Sequence, residues 1–174
     1  MKILVTGASG YIASKLIHEI HDDYDVLGLD LVNNIELPCM FVQGDIRDKE
    51  LVKKLVAGKD CVVHLAAVVP PSPLEKEMEE INFRATCCLS QTCREKGVKQ
   101  FIYSSTCSVY PSGDNLNEET TPQVYNPTSH APNTPYVSGK IKSENFIQSI
   151  RTNTFNPVIL RFATVFGRGV KVGW

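Results

Sequence analysis

Short apolar runs alternate with amphipathic stretches along nearly the whole chain. The first run, Ile3 to Val5, stops at Gly7, and Gly10 follows before a helical pattern begins at Tyr11. Ile12, Leu16, Ile17 and Ile20 share one face at helical spacing, which predicts a helix from Tyr11 to about Ile20. A second run, Asp25 to Asp30, is closed by an acid, and residues 31 to 38 are irregular up to Pro38. A third strand, Cys39 to Gln43, leads into Gly44-Asp45-Ile46-Arg47-Asp48. Asp48 is placed to cap a helix from Lys49 to Ala57, and Gly58 to stop it.

Cys61 to Ala67 is apolar without alternation, the pattern of a strand buried on both faces. Pro70, Pro71 and Pro73 make a loop, and a long helix is expected from about Leu74 to Lys96, ended by Gly97. Phe101 to Thr106 reads as the fifth strand. Residues 108 to 135 hold five of the ten prolines and exclude a long regular element; loops of that length are usually functional or disordered. A helix from Tyr136 to about Arg151 and a sixth strand, Val158 to Phe162, complete the pattern. Six alternations of apolar strand and helix predict a doubly wound α/β domain, a parallel sheet with helices on both faces, formed by residues 1–174 as a single domain. In such sheets ligands bind beyond the C-terminal strand ends, where the strand order reverses.

Composition removes several alternatives. Eighteen Lys and Arg against nineteen Asp and Glu leave a net charge of −1, with the signs mixed along the chain. There is no basic surplus for nucleic acid or for a membrane surface. No apolar stretch approaches the ~20 residues a membrane span needs, and the run at Ile3 is too short for a signal peptide. These features point to the cytoplasm. The six cysteines form no Cys-x-x-Cys pair and no histidine stands at zinc-finger spacing, so buried reduced thiols are expected and no metal site.

The unusual residues lie at the strand ends. A strand, a glycine turn and a helix N-terminus present free backbone N–H groups to a phosphate; the plain alternative is a glycine that only closes a tight turn. Asp30 ends the second strand a little over twenty residues after Gly7, where a carboxylate accepts hydrogen bonds from a ribose diol. It disfavours a 2′-phosphate, and Leu31-Val32-Asn33 offers no cation to welcome one, so NAD is expected rather than NADP. Asp45 either accepts from an adenine amino group or caps a helix. Leu65, Ala66 and Ala67 are small enough to let backbone approach a bulky ligand, and His64 reads as a hydrogen-bonded core histidine. Ser104-Ser105-Thr106 closes the fifth strand, and thirty residues later Tyr136 and Lys140 share a helix face at i, i+4. A lysine ammonium, together with a positive nicotinamide ring, would lower the tyrosine pKa until Tyr136 serves as a base near neutral pH. Thr106 would orient the same substrate oxygen while hydride moves to the nicotinamide.

These residues resemble the extended short-chain dehydrogenase/reductase family, in particular the NAD-dependent epimerases and dehydratases of nucleotide sugars. The resemblance rests on Thr6-Gly7-Ala8-Ser9-Gly10-Tyr11-Ile12, Gly44-Asp45-Ile46-Arg47-Asp48, His64-Leu65-Ala66-Ala67, Ser104-Ser105-Thr106, Ser108-Val109-Tyr110, Tyr136-x-x-x-Lys140 and Leu160 to Gly167, in family order across the chain. It implies a Rossmann fold binding NAD. Gly7, Gly10, Tyr11 and Ile12 would line the pyrophosphate, Asp30 the ribose, and Asp45 with Ile46 the adenine. Leu65, Ala66 and Ala67 would line the cofactor channel, and Ser104 and Phe162 would lie near the nicotinamide. Thr106, Tyr136 and Lys140 would be catalytic, with Tyr136 and Lys140 also touching the cofactor, and Thr106, Tyr136 and Thr164 the substrate. Asn82 matches an asparagine that supports the active-site helices and a proton-relay water. A homodimer through the helices starting near residues 74 and 136 is implied as well.

Three departures qualify the resemblance. Ala13 replaces the third glycine of the loop, a position that governs helix–strand packing. Thr164 replaces an asparagine that touches substrate in many relatives. The chain ends at Trp174, where relatives continue into a part that grips the nucleotide, so a largely missing C-terminal substrate domain is expected. The alternatives to a nucleotide-sugar epimerase or dehydratase are a non-catalytic NAD-binding module or regulator, and a reductase of a small carbonyl compound.

Overall fold

The apolar runs form one parallel sheet. The computed structural model describes residues 1–69, 71–110 and 135–169. The strands are β1 (Lys2–Thr6), β2 (Asp25–Asp30), β3 (Met40–Gln43), β4 (Cys61–His64), β5 (Gln100–Thr106) and β6 (Asn156–Phe162). The α-helices are α1 (Tyr11–Ile20), α2 (Lys49–Val56), α3 (Thr86–Glu95) and α4 (Pro135–Ser149). The strand order is β3-β2-β1-β4-β5-β6, every pair parallel, so the order reverses between β1 and β4. The doubly wound α/β expectation holds.

Alternation along the strands divides the core. Leu4, Val62, Phe101 and Tyr103 face α2, α3 and α4, while Ile3, Val5 and Val63 face α1. Beside α1, over β4 to β6, an apolar groove of about 320 Å³ is lined by Ile12, Leu16, Val63, Ile102, Leu160 and Phe162. This explains why the apolar stripe of α1 is only half used: Ala13 and Ile17 are buried, whereas Ile12, Leu16 and Ile20 are partly exposed.

Local signals act where expected. The Asp48 carboxylate accepts from the N–H groups of Glu50 and Leu51 at 3.0 Å and starts α2. Gly58 and Gly97 end α2 and α3 with φ of +71° and +75°.

Two elements differ. The fourth strand stops at His64 rather than Ala67, because Leu65 to Ala67 turn across the glycine loop. The helix expected from Leu74 to Lys96 is a 3-10 turn (Glu75–Glu77), a π-helical run (Glu79–Ala85) and then α3. The Asn82 carbonyl accepts from the hydroxyls of both Thr86 and Ser143, each at 2.9 Å, and its side chain is tied to Val68. A carbonyl with two side-chain donors competes with the ordinary α ladder, and the widened turn accommodates them.

Of the cysteines, Cys61 and Cys93 are buried, Cys39, Cys87 and Cys88 half-buried and Cys107 exposed, so the expectation of burial holds for two of the six. The proline-rich loop expectation begins in a 3-10 turn, Cys107–Val109, and ends at Pro135, the first residue of α4; residues 111–134 lie outside the described residues, as do Pro70 and 170–174. No described helix is long and apolar enough to cross a membrane.

Candidate active site at the sheet's reversal point

A cavity of about 180 Å³ opens between the ends of β1 and β4, lined by Gly7, Gly10, Asp30, Asp45, Ile46, Leu65, Ala66 and Ala67. Sequence-predicted coenzyme residues from four strand ends therefore converge there. Gly7 has φ +72°, and a Cβ on it would stand 2.6 Å from the Ala66 nitrogen. The glycine is required twice over, by backbone conformation and by lack of room. Gly10 begins α1 with no side-chain cap, which leaves first-turn N–H groups without an intrahelical partner.

Asp30 is held by two backbone donors, Ser9 N–H to Oδ2 and Val32 N–H to Oδ1, each at 3.0 Å. A carboxylate so placed retains lone pairs for two further donors. Asp45 is engaged by Arg47, whose Nε and Nη2 reach it at 2.6 to 3.0 Å and hold its carboxyl below the usual range. Arg47 also pairs with Glu77. Asp45 is thus no helix cap, that role falling to Asp48. Arg47 stands in the quoted Gly44–Asp48 motif, but sequence reasoning gave it no part; only folding shows that it bridges Asp45 to Glu77.

Four predicted coenzyme residues have side chains placed elsewhere. Asn82 does not line the cavity: its Oδ1 accepts from Val68 N–H at 2.7 Å and its Nδ2 donates to Val68 O at 2.8 Å. It is a stitch between the segment after β4 and the π-helical run, because a carboxamide alone matches a backbone donor and acceptor together. Phe162 and the Ile12 side chain line the groove beside α1, since strand alternation and helix phase turn them away. Tyr11 also turns outward: its hydroxyl donates to the Arg168 carbonyl at 3.4 Å, drawing the segment after β6 toward the glycine loop. In that segment Thr164 is exposed.

His64 behaves as a core histidine. Its Nδ1 lies 2.6 Å from Thr6 Oγ1 and its Nε2 2.8 Å from Thr86 Oγ1, and burial lowers its pKa to about 3.

At the end of β5, Lys140 is buried and its Nζ donates to the Ser104 carbonyl at 2.6 Å. The same ammonium lies 4.7 Å from the Tyr103 ring centre and 5.7 Å from that of Tyr136. The Ser104 hydroxyl donates to the His64 carbonyl, so it is committed to the sheet. Thr106 Oγ1 accepts from Ser108 N–H and donates to Ser108 Oγ, both at 3.2 Å. Thr106, Tyr136 and Lys140 are thus borne by β5 and α4, the pair of elements that sequence spacing selected.

The electrostatics of the pair follow from its burial. Tyr136 sits above its ordinary pKa, because burial disfavours the phenolate. Lys140 is lowered to about 7, chiefly by burial, with Glu144 opposing. Burial thus moves both groups toward their neutral forms. Tyr103 and Glu144 were not singled out from sequence; the Lys140–Glu144 spacing of four was the available signal for the second.

The fold and this cleft define a dinucleotide-binding type of α/β domain, with a Tyr–Lys pair on the helix before the sixth strand. Residues 3–173 match the model of the NAD dependent epimerase/dehydratase family, and the chain belongs to that family. It is 34% identical to the mouse (Mus musculus) dTDP-D-glucose 4,6-dehydratase over 95% of the chain and 51% of that protein. It is 31% identical to an uncharacterized UDP-glucose epimerase of Bacillus subtilis over 96% of the chain and 57% of that protein. Among solved structures, a UDP-glucuronic acid 4-epimerase from Bacillus cereus in complex with NAD superposes with a TM-score of 0.80 at 28% identity, covering 96% of this chain and 58% of that one. The chain spans about half the length of the curated relatives it matches. The expectation of NAD agrees with the family.

Proposed function

We propose that this chain is the coenzyme-binding part of an NAD-dependent epimerase or dehydratase of a nucleotide-linked sugar, with Tyr136 as the base. The observation that carries the reading is the Lys140 ammonium, which reaches the Ser104 carbonyl at the end of β5 and lies 5.7 Å from the Tyr136 ring centre, in the same chain as a glycine turn that excludes any side chain. Gly7, Gly10 and the first turn of α1 would hold the pyrophosphate, Asp30 the adenosine ribose, and Asp45 with Ile46 the adenine end. When bound, NAD supplies a hydride acceptor and a positive ring. The chain supplies the proton chemistry: Tyr136 takes the proton of the sugar hydroxyl, Thr106 orients that oxygen, and the Lys140 charge favours the phenolate. The relatives' nucleotide-sugar names support the substrate class. The cytoplasm and a homodimer through the helices near residues 74 and 136 belong to the same reading and rest on composition and resemblance.

Titration calorimetry of the chain with NAD and NADP tests the coenzyme assignment. NAD binds the tighter, and Asp30→Ala narrows the difference; equal affinities in the unmutated chain would count against Asp30. Tyr136→Phe keeps NAD binding and abolishes turnover of UDP- or dTDP-hexoses. NAD binding without turnover in the unmutated chain favours the second reading, a binding module, for this polypeptide taken alone.

A further inference from the structure

One ion pair with a buried carboxylate lies next to the Tyr–Lys pair and is not used by the chemistry above. Glu144 is 2% exposed and sits one turn after Lys140 on α4. Its carboxylate accepts from the Ser105 hydroxyl, from Arg161 Nε at 3.2 Å to both oxygens, and from Arg161 Nη2 at 2.7 Å. Ser105 and Arg161 are register partners across β5 and β6, so Glu144 stands over one rung of the sheet. The preceding β5 residue, Ser104, receives the Lys140 ammonium. Two residues one helical turn apart are therefore fastened to two consecutive residues of β5. Arg161 also lies 4.7 Å from the Tyr110 ring centre, which ties the turn after Thr106 to the same pair.

We infer that Glu144 and Arg161 are positioning residues, a counter-charge pair with a buried carboxylate that fixes the register of α4 on β5 and sets the charge of Lys140. The inference rests on the reading of Tyr136 as the base, since the lysine charge matters to catalysis through that tyrosine. Among the described residues, the titratable groups around Lys140 are Tyr136 and Glu144 on α4, Tyr103 on β5 and His64 on β4. Arg161 on β6 acts through Glu144, Cys107 lies beside Tyr136 and Cys87 beside Tyr103. His64 is neutral above pH 3 and burial holds Tyr103 and Tyr136 above the ordinary phenol value, which leaves Glu144 as the group that favours the ammonium and Arg161 as the cation that offsets it. Each has a defined sign. Removing the carboxylate disfavours the ammonium; removing the guanidinium favours it.

A purely mechanical clamp makes a different prediction, because loosening α4 from either side admits water and returns Lys140 toward an ordinary lysine. The test is an NMR titration of the chain labelled with 13C at lysine Cε, the Lys140 signal being assigned with Lys140→Met. It requires neither coenzyme nor turnover, so an inactive chain still reports on the pair, and failure of the Tyr136→Phe experiment is a separate event. Glu144→Gln lowers the Lys140 midpoint and Arg161→Gln raises it, each on the order of one pH unit, and Arg161→Lys keeps it. Shifts of both Gln variants in the same upward direction, or no shift in either, overturn the inference. Should Glu144→Gln not fold, Glu144→Met, also uncharged and of similar length, takes its place, an upward shift or none overturning the inference.

Discussion

Lys140 and Tyr103 face each other at 4.7 Å, the ammonium over the ring, in a place from which water is excluded. The Tyr103 ring also stacks on His64 at 5.7 Å. The aromatic face offers the charge a partner that needs no hydrogen bond, while the Ser104 carbonyl takes one of its three donors.

Tyr103 carries a buried hydroxyl with no partner at full hydrogen-bond geometry among the described residues, Ser143 being the nearest hydroxyl. Tyr103→Phe keeps the ring and removes the orphaned group. Unfolding in urea then gives a stability equal to the parent or up to about 1 kcal/mol higher. Tyr103→Leu removes the ring, and the Lys140 midpoint drops by roughly half a unit to one unit.

Gly7 and Gly58 have nearly the same φ, +72° and +71°, but different surroundings. A methyl on Gly58 meets nothing within 4 Å, so Gly58→Ala loses only the backbone preference, about 1 to 2 kcal/mol. Gly7→Ala adds a collision with the Ala66 backbone. It lowers the melting temperature further than Gly58→Ala and abolishes NAD binding in calorimetry. Equal losses in the two variants would show that Gly7 serves only the turn.

Asn82 satisfies both backbone groups of Val68 from inside the protein. Asn82→Ala leaves them buried without partners and lowers the unfolding free energy by about 2 to 4 kcal/mol. Asn82→Leu, similar in volume, is no better. Recovery of stability with Leu would mean that the site needs bulk rather than the two hydrogen bonds.

Stability depends on pH with a sign that His64 and Lys140 share. His64 is held near pKa 3 against 6.5 when unfolded, and Lys140 near 7 against 10.5. Both bind more protons in the unfolded chain over those windows, so folding stability rises with pH from 3 to 6.5 and again from 7 to 10.5. The histidine's stabilising neutral state is complete above pH 6.5 and is lost as pH falls toward 3. A single group contributes a slope of at most about 1.4 kcal/mol per pH unit. In His64→Gln the slope between pH 4 and 6, read from urea unfolding at each pH, flattens. An unchanged slope would place the acid sensitivity in the carboxylates.

The sequence by itself determined the sheet, the strand–helix alternation and the residues at strand ends, because these depend on period, on glycine and on local caps. Asp48 capped α2 as its position indicated, and Gly7 proved necessary for a reason its spacing already suggested. Tertiary structure decided the rest. It brought Glu144 and Arg161 together over the Ser105 rung, turned Phe162 and the Ile12 side chain away from the cavity, and set the Ser143 hydroxyl of α4 on the Asn82 carbonyl in the widened turn. It also set Tyr136 above its ordinary pKa and Lys140 below its own. Burial is the common cause: desolvation depends on every element packed around a group, and no spacing along the chain reports it.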